Sequence, residues 1–257
     1  MLELKHIHKY YNSGTINEMC LFDDFNMNIE DGQFVAVVGS NGSGKTTLLN
    51  LICGSIDLDS GSVLIDGKDI GREKEFKRNQ YIGRVYQNPA MGTCPNMTIA
   101  ENMSLADNKG KMYGLRPGKN KARMEFYRES LKQLGLGLED KMNVKVGVLS
   151  GGQRQAMALL MSTMTPIRFL ILDEHTAALD PKTAELIMEL TDKIVREKNL
   201  TTIMVTHNLR YAVEYGNRLV MMHQGKAVID SAGAEKSTIQ IDHILEKFNE
   251  ISIECGN

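Results

Sequence analysis

The sequence predicts an α/β fold that is interrupted by a helical segment. Residues 34–38 and 169–172 form continuous apolar runs, which are typical of strands buried on both faces of a parallel sheet. A third stretch of strand character at 201–207 follows after a stretch of helical spacing at about 181–198. Between about residues 88 and 165 the apolar residues recur at helical spacing instead. Strands that alternate with helices around an inserted helical block indicate an α/β architecture.

Alternating apolar and polar residues near the N-terminal end predict half-exposed strands at 2–8 and 21–29, with a polar loop at 12–19 between them. The stretch 62–70 alternates in the same way around Asp66-Gly67, a dipeptide that favours a hairpin turn. These strands predict an antiparallel β subdomain.

Several further elements can be predicted from local patterns. A pair of short strands surrounds Gln224-Gly225, and helical spacing follows at about 233–250. An amphipathic helix is expected at 121–134, ended by Gly135. The polar and basic segment 107–121 is expected to be an exposed loop, either a solvated surface or a patch that faces a partner.

The composition excludes some classes of function. The 30 Lys and Arg residues against 32 Asp and Glu residues give a formal charge of −2, which argues against a nucleic-acid-binding protein. No apolar run approaches the roughly 18 residues of a membrane span. The N-terminal residues lack the apolar region of a secretory signal. We therefore expect that this chain does not cross a membrane by itself.

Residues 39–46 have the sequence GSNGSGKT, which matches the phosphate-loop pattern G-x-x-x-x-G-K-[ST]. The pattern stands between a predicted buried strand and a predicted helix, where the helix N-terminus favours an anion. Glycines allow the backbone N–H groups to surround phosphates, Lys45 would reach the β- and γ-phosphates, and the Thr46 hydroxyl would bind Mg²⁺. A Gly-rich turn before a structural helix is the alternative. The predicted nucleotide-binding residues here are Gly39, Ser40, Asn41, Gly42, Ser43, Gly44, Lys45, Thr46 and Thr47.

Two acids follow the apolar run at 169–172, at the carboxyl end of a predicted strand. Ligands of open α/β sheets bind at that edge. Asp173 is predicted to hold Mg²⁺ through water, and Glu174 to polarise the attacking water. A strand that ends in acids is a weak signal alone, because many strands do so; the phosphate loop strengthens it.

Residues 149–153 have the sequence LSGGQ, directly before a predicted helix. A serine hydroxyl and two glycine N–H groups at a helix start make a second anion site. With these residues and the phosphate loop, the chain resembles the ATP-binding-cassette family over nearly its whole length. A Gly-Gly turn before a structural helix is the alternative. The resemblance assigns nucleotide contacts to Ser150, Gly151, Gly152 and Gln153.

The resemblance implies a single ATPase domain over residues 1–257 with a P-loop core. The core and the β subdomain would comprise 1–87 and 166–257, and the helical subdomain with LSGGQ would comprise 88–165. In the family, two chains meet head to tail, and LSGGQ of one covers the ATP that is bound to the phosphate loop of the other. A homodimer with two ATP molecules is therefore expected.

Four further positions match the family pattern. Gln87 looks like the glutamine that contacts Mg²⁺ and water beside the helical subdomain, and His207 like the histidine near the γ-phosphate. Residues 178–180 look like the segment that crosses the dimer interface. Tyr11 looks like the aromatic residue that stacks on adenine, with the neighbouring Tyr10 as the alternative. Glu174, His207, Lys45 and Gln87 are thus the predicted catalytic residues, and Thr46, Gln87 and Asp173 the predicted Mg²⁺ residues.

Two positions depart from the usual pattern, His175 where many members have proline and Asn208 where aspartate is common. The segments around Gln87 and Glu174 are similar to a bacterial branch that works with a separate permease and a substrate-binding protein, and that is linked to aromatic amino-acid uptake. The expected function is therefore the ATPase of an importer at the cytoplasmic face of the membrane. A soluble ATPase of the same class, for example in iron–sulfur assembly, is the alternative.

Overall fold

A computed structural model describes residues 1–111 and 118–254 of the chain. Residues 112–117 of the predicted loop at 107–121 lie outside the described residues. The strands, in chain order, are β1 (Leu2–Tyr11), β2 (Met19–Ile29), β3 (Phe34–Gly39), β4 (Ser60–Ile65), β5 (Lys68–Asp69), β6 (Ile82–Val85), β7 (Phe169–Asp173), β8 (Thr201–Val205), β9 (Arg218–His223) and β10 (Lys226–Ala232). The α-helices are α1 (Lys45–Cys53), α2 (Glu75–Arg78), α3 (Ile99–Asp107), α4 (Met124–Lys132), α5 (Gly151–Ser162), α6 (Pro181–Lys198), α7 (Leu209–Glu214), α8 (Gly233–Thr238) and α9 (Ile241–Glu254).

The chain divides into two compact units, one made of Met1–Glu75 with Thr201–Asn257 and the other of Phe76–Leu200. The first unit contains the predicted N-terminal antiparallel sheet, with strand order β2-β1-β4-β5. The hairpin between β4 and β5 turns at Asp66 and Gly67, which have φ of 51° and 77°. Such positive φ values suit an Asp-Gly turn, so the predicted hairpin is confirmed.

The first unit also contains a mixed sheet built on β3. This strand is buried along its whole length and pairs in parallel with β8 on one side and β9 on the other. The antiparallel strand β10 follows β9 through the turn at Gln224 and Gly225. Helices α1 and α7 pack against β3. The continuous apolar run at 34–38 is explained by this central position.

In the second unit, β6 and β7 form a parallel pair and α5 packs against α3, α4 and α6. The predicted helix at 181–198 is α6, which begins at Pro181, directly after its N-cap residue Asp180. Proline is favoured in the first turn of a helix because its missing N–H would have no partner there. The α/β fold class is confirmed, whereas the exact limits of the helical subdomain stay a prediction.

Three local predictions need correction. The strand predicted at 2–8 extends to Tyr11, because antiparallel pairing with β2 continues to Met19. The helix expected at 121–134 begins as a 3-10 turn at Lys121–Arg123 before α4. The helical stretch at 233–250 is two helices, separated by the extended residue Ile239.

Among the residues that the structure describes, none of the helices combines the length and the apolar composition that a membrane span requires.

Candidate functional site

The phosphate-loop segment 39–46 joins β3 to α1 within the first unit. Gly39, Gly42 and Gly44 have φ of 151°, 77° and 105°, values that favour glycine. A Cβ atom on Gly39 would lie 2.2 Å from the carbonyl oxygen of Met222, so the backbone is too close for a side chain. Gly44 precedes α1, and no side chain caps that end of the helix. The first amide groups of α1 are therefore suited to an anion.

The ammonium group of Lys45 bends back over this loop. Its Nζ donates to the carbonyl oxygens of Gly39 at 2.8 Å and Ser40 at 2.9 Å, and the residue is only 5% exposed. The hydroxyl of Ser43 is buried and has no hydrogen-bond partner within the described structure. A buried polar atom without a partner is costly, so this hydroxyl marks a place where a polar ligand would be stabilising. Asn41 and Thr46 are exposed.

Tyr11 lies beside the same loop. Its hydroxyl is 3.0 Å from Oγ1 of Thr47, which is on the first turn of α1. Tyr10 stands opposite Cys20 in the antiparallel sheet, and its backbone N–H donates to the Asp59 carboxylate. Of the two tyrosines that the sequence left open, Tyr11 is thus the one for which the structure shows a contact with a predicted nucleotide-binding residue, Thr47.

His207 reaches the same edge of the first unit. The parallel pairing of β3 with β8 aligns Val37 with Val205, and the phosphate loop and His207 both follow the carboxyl ends of these strands. His207 is exposed. The next residue, Asn208, caps α7 by accepting a hydrogen bond from the backbone N–H of Tyr211. The unusual asparagine therefore has a structural role that a short polar side chain fulfils.

In the second unit, Asp173 ends β7 and its carboxylate is bound by an arginine. Nη2 of Arg84 donates to Oδ2 of Asp173 at 2.8 Å, and the two side chains are 8% and 16% exposed. Arg84 stands on β6, where it pairs with Ile171. The Asp173 side chain lies on the same face of the sheet as Ile171, since side chains alternate along a strand.

Glu174 follows β7 in a left-handed backbone conformation with φ of 48°. Its neighbour His175 is 2% exposed, and burial lowers the pKa of its imidazole to about 4. Nε2 of His175 lies 3.2 Å from Oγ1 of Thr191 on α6. Thr191 donates its one hydroxyl hydrogen to the carbonyl of Ile187 at 2.7 Å, so Nε2 carries the hydrogen of this bond.

Gln87 is exposed and follows β6 by two residues. Since β6 and β7 are parallel with Val85 opposite Leu172, Gln87 and the acids after β7 extend from the same edge. The peptide just before Gln87 is hydrogen-bonded to a helix, because Nε2 of Gln155 on α5 donates to the backbone carbonyl oxygen of Tyr86 at 3.0 Å.

The LSGGQ segment forms the start of α5. Oγ of Ser150 accepts from the backbone N–H of Gln153, and the side chain of Gln153 accepts from that of Ser150, both at 3.2 Å. This capping box leaves the Ser150 hydroxyl hydrogen available to donate. A Cβ atom on Gly152 would lie 2.2 Å from Cγ2 of Thr183, so this glycine allows close packing of α5 on α6. Ser150 is exposed.

The structure therefore groups the predicted residues in two sets. The first unit holds the phosphate loop, Tyr11 and His207, and the second holds Asp173, Glu174, Gln87 and the LSGGQ segment. Arg84 is not among the residues that the sequence predicted for the site. A single arginine inside a short apolar strand before Gln87 could have indicated a functional residue. Its partner could not be predicted, because the partner depends on strand register.

A phosphate loop between a buried parallel strand and a helix, with acids after another parallel strand, defines a P-loop nucleoside-triphosphate-binding protein. A family model described as ABC transporter matches residues 22–177, more than half of the sequence. The chain belongs to the ABC transporter family. It is the ATP-binding and ATP-hydrolysing subunit of a transporter.

Two relatives and one solved structure indicate the range of similarity. The tyrosine transport ATP-binding protein of Clostridioides difficile is 47% identical over 248 residues, which cover 96% of this chain and 98% of that protein. The spermidine/putrescine import ATP-binding protein of Haemophilus influenzae is 35% identical over 237 residues, 91% of this chain and 59% of that protein. A dimeric ATP-binding cassette in a post-hydrolysis state with ADP and Pi has a TM-score of 0.76 at 30% identity, covering 90% of this chain and 98% of that one.

Proposed function

We propose that this chain is the ATPase of a bacterial amino-acid importer and drives a separate permease. The observation that carries the proposal is the full-length similarity to a tyrosine transport ATP-binding protein, at 47% identity. Aromatic amino acids are therefore the proposed cargo. The relatives named above are transport proteins, so the soluble alternative, such as iron–sulfur assembly, is not favoured.

The phosphate loop is proposed to bind ATP. The uncapped start of α1 and the unpartnered Ser43 hydroxyl would bind phosphate oxygens. Lys45 Nζ, now bound to two loop carbonyls, would turn to the β- and γ-phosphates, a stronger acceptor for an ammonium group. Tyr11 would stack on adenine, and its bond to Thr47 would hold the ring beside the loop.

Mg²⁺ fits the available donors. Thr46, Gln87 and Asp173 offer a hydroxyl, an amide oxygen and a carboxylate, which are hard oxygen ligands of the kind that Mg²⁺ prefers together with substrate phosphates. The ion would neutralise charge that develops on the transferred phosphoryl group. We assign Thr46 to binding the ion, Asp173 to holding it through water, and Gln87 to contacting the ion and water.

Hydrolysis is proposed to use Glu174 and His207. Glu174 would polarise the attacking water, and His207 would bind near the γ-phosphate. In a head-to-tail homodimer, the free hydroxyl hydrogen of Ser150 and the amide groups of Gly151 and Gly152 would bind the γ-phosphate held by the other protomer. The similarity to a dimeric cassette solved with ADP and Pi supports this arrangement.

Dimer closure and reopening would then move the permease. Its cytoplasmic helices are proposed to dock near Gln87 and the helical subdomain at 88–165, which puts the chain at the cytoplasmic face of the membrane. An extracytoplasmic substrate-binding protein would deliver the cargo. No role in nucleic-acid binding is proposed, since the chain has a formal charge of −2.

The catalytic assignment can be tested with Glu174→Gln, which keeps the size of the side chain but removes its charge. Hydrolysis should fall by about two orders of magnitude or more, ATP binding should persist, and the ATP-bound dimer should become detectable by size-exclusion chromatography. Glu185→Gln is a matched control on α6 and should hydrolyse ATP normally. Wild-type turnover in Glu174→Gln would refute the assigned role.

The cargo can be tested by uptake of radiolabelled tyrosine in a strain that lacks the gene. The wild-type gene should restore uptake and Glu174→Gln should not. Unlabelled phenylalanine and tryptophan should compete, whereas spermidine should not. Restored uptake of spermidine without uptake of tyrosine would contradict the amino-acid assignment while preserving the ATPase assignment.

A further inference from the structure

Arg84 is a largely buried arginine that contacts the proposed Mg²⁺ carboxylate of Asp173. It lies on β6 between Gly83 and Val85, and its side chain is only 8% exposed. Pairing with Ile171 sets its position along β7, and the long side chain reaches diagonally to Asp173 two residues further on. A buried arginine needs a charged partner, and Oδ2 of Asp173 supplies one at 2.8 Å.

A second contact fixes the guanidinium group. Its central carbon lies 4.6 Å from the ring centroid of Tyr86, within the range of a cation–π interaction. The backbone carbonyl oxygen of Tyr86 in turn accepts a hydrogen bond from Nε2 of Gln155 on α5. The guanidinium group therefore contacts both the Tyr86 ring and the Asp173 carboxylate, and the Tyr86 backbone is attached to α5.

We propose that Arg84 is a positioning residue that holds the Asp173 carboxylate in the orientation needed for Mg²⁺-dependent nucleotide binding. By occupying Oδ2 it fixes the rotation of the carboxyl group and leaves Oδ1 as the oxygen that is presented to the site. Hydrogen-bonded partners of a metal-binding carboxylate commonly act in this way. This inference rests on the proposed function of Asp173.

Arg84 also brings a positive charge close to the site, and that charge would oppose a bound cation. Orientation of the Asp173 carboxylate would strengthen Mg²⁺ binding, whereas repulsion by the Arg84 charge would weaken it. We expect the orienting effect to dominate, because the bond to Oδ2 leaves the second oxygen of Asp173 for the ion, and the Tyr86 ring stabilises the positive charge of Arg84. Loss of the arginine should therefore weaken the response to Mg²⁺ and not strengthen it.

The test is a Mg²⁺ titration of fluorescent ATP-analogue binding to the full chain, without measuring turnover. Arg84→Met should raise the half-saturating Mg²⁺ concentration about tenfold or more, while nucleotide affinity in EDTA stays within about twofold. Arg84→Lys keeps the charge but not the planar fork, so it should be impaired as well. An unchanged or lower Mg²⁺ requirement in Arg84→Met, or a wild-type response in Arg84→Lys, would overturn the proposal.

Two comparisons separate positioning from general stability. Arg123 is a matched control in the same unit, since it also combines an ion pair, to Asp107, with a ring contact, to Phe126. Arg123→Met should leave the Mg²⁺ titration unchanged. In an Asp173→Ala background, Arg84→Met should cause no further change; an equal loss in both backgrounds would refute the proposal. If the wild type itself binds nucleotide without any response to Mg²⁺, the proposed function of Asp173 fails instead.

Discussion

Nε2 of His175 lies 3.2 Å from Oγ1 of Thr191, which fastens the residue after Glu174 to the third turn of α6. The segment that starts at Glu174 ends at Asp180, the residue that caps the same helix by accepting from Thr183. Both ends of this segment are thus attached to α6. The usual proline could not make this attachment, since it has no polar side-chain atom.

The buried imidazole predicts a pH dependence of stability. Its pKa is about 4 in the folded chain and 6.5 when unfolded, so between these values the unfolded chain binds more protons. The contribution of His175 is fully present above pH 6.5 and is lost as the pH falls towards 4. We expect this group to lower the free energy of unfolding by about 2 kcal/mol from pH 7.5 to pH 5.

The measurement compares the wild type with His175→Gln, whose amide can still donate to Thr191 but does not titrate in this range. Denaturant unfolding at several pH values should show that the wild type loses more stability than the variant on acidification. Subtracting one pH profile from the other removes the contribution of the carboxylates, which titrate in both proteins. Parallel pH profiles would show that the imidazole is not buried and neutral.

Gly39 is predicted to be irreplaceable, and the reason is contact with the backbone. A Cβ atom there would lie 2.2 Å from the oxygen of Met222 and 2.8 Å from Oγ of Ser43. Gly39→Ala should therefore move β3 or the phosphate loop and abolish nucleotide binding, as measured by equilibrium binding of a fluorescent ATP analogue.

Gly14 provides the comparison, because its φ is 77° but nothing lies within 4 Å of its Cβ position. Gly14→Ala should lose about 1–2 kcal/mol of stability from backbone strain alone and bind nucleotide normally. If Gly39→Ala binds as tightly as Gly14→Ala, the close approach of β9 does not constrain the loop.

Tyr11 and Tyr10 can be distinguished by their effects on nucleotide affinity. Loss of an aromatic ring that stacks on a base costs about 1–3 kcal/mol, so Tyr11→Ala should weaken ATP binding about fivefold or more. Tyr11→Phe keeps the ring and loses only the bond to Thr47, so its effect should be small. Tyr10→Ala should bind ATP like the wild type, and a larger loss there than in Tyr11→Ala would reverse the assignment.

The sequence predicted the phosphate loop and the LSGGQ segment because their function depends on glycine and on local order along the chain. Contacts such as Arg84 with Asp173 and His175 with Thr191 could not be predicted, since they depend on strand register and on helix packing. Helical spacing at 233–250 likewise did not show that α8 and α9 are separate helices. Lys236 of α8 donates to the carbonyls of Val213 and Tyr215 and so attaches α8 to α7, which is again a contact between distant residues.

Ser150 is predicted to have two separable roles, as the cap of α5 and as a donor to the ATP of a second protomer. Ser150→Ala should lose about 1 kcal/mol of stability through the missing cap. Its steady-state hydrolysis should also fall by about two orders of magnitude. Binding of ATP to the phosphate loop of the same protomer should be unchanged.

Thr98 separates these two effects, because it forms the same kind of capping box with Glu101 at the start of α3. Thr98→Ala should be destabilised to a similar extent, since both variants lose a side-chain acceptor for a backbone N–H. Its rate of phosphate release should nevertheless match that of the wild type. If the two variants lose hydrolysis equally, the effect of Ser150→Ala reflects helix stability, and the hydroxyl has no role at the γ-phosphate.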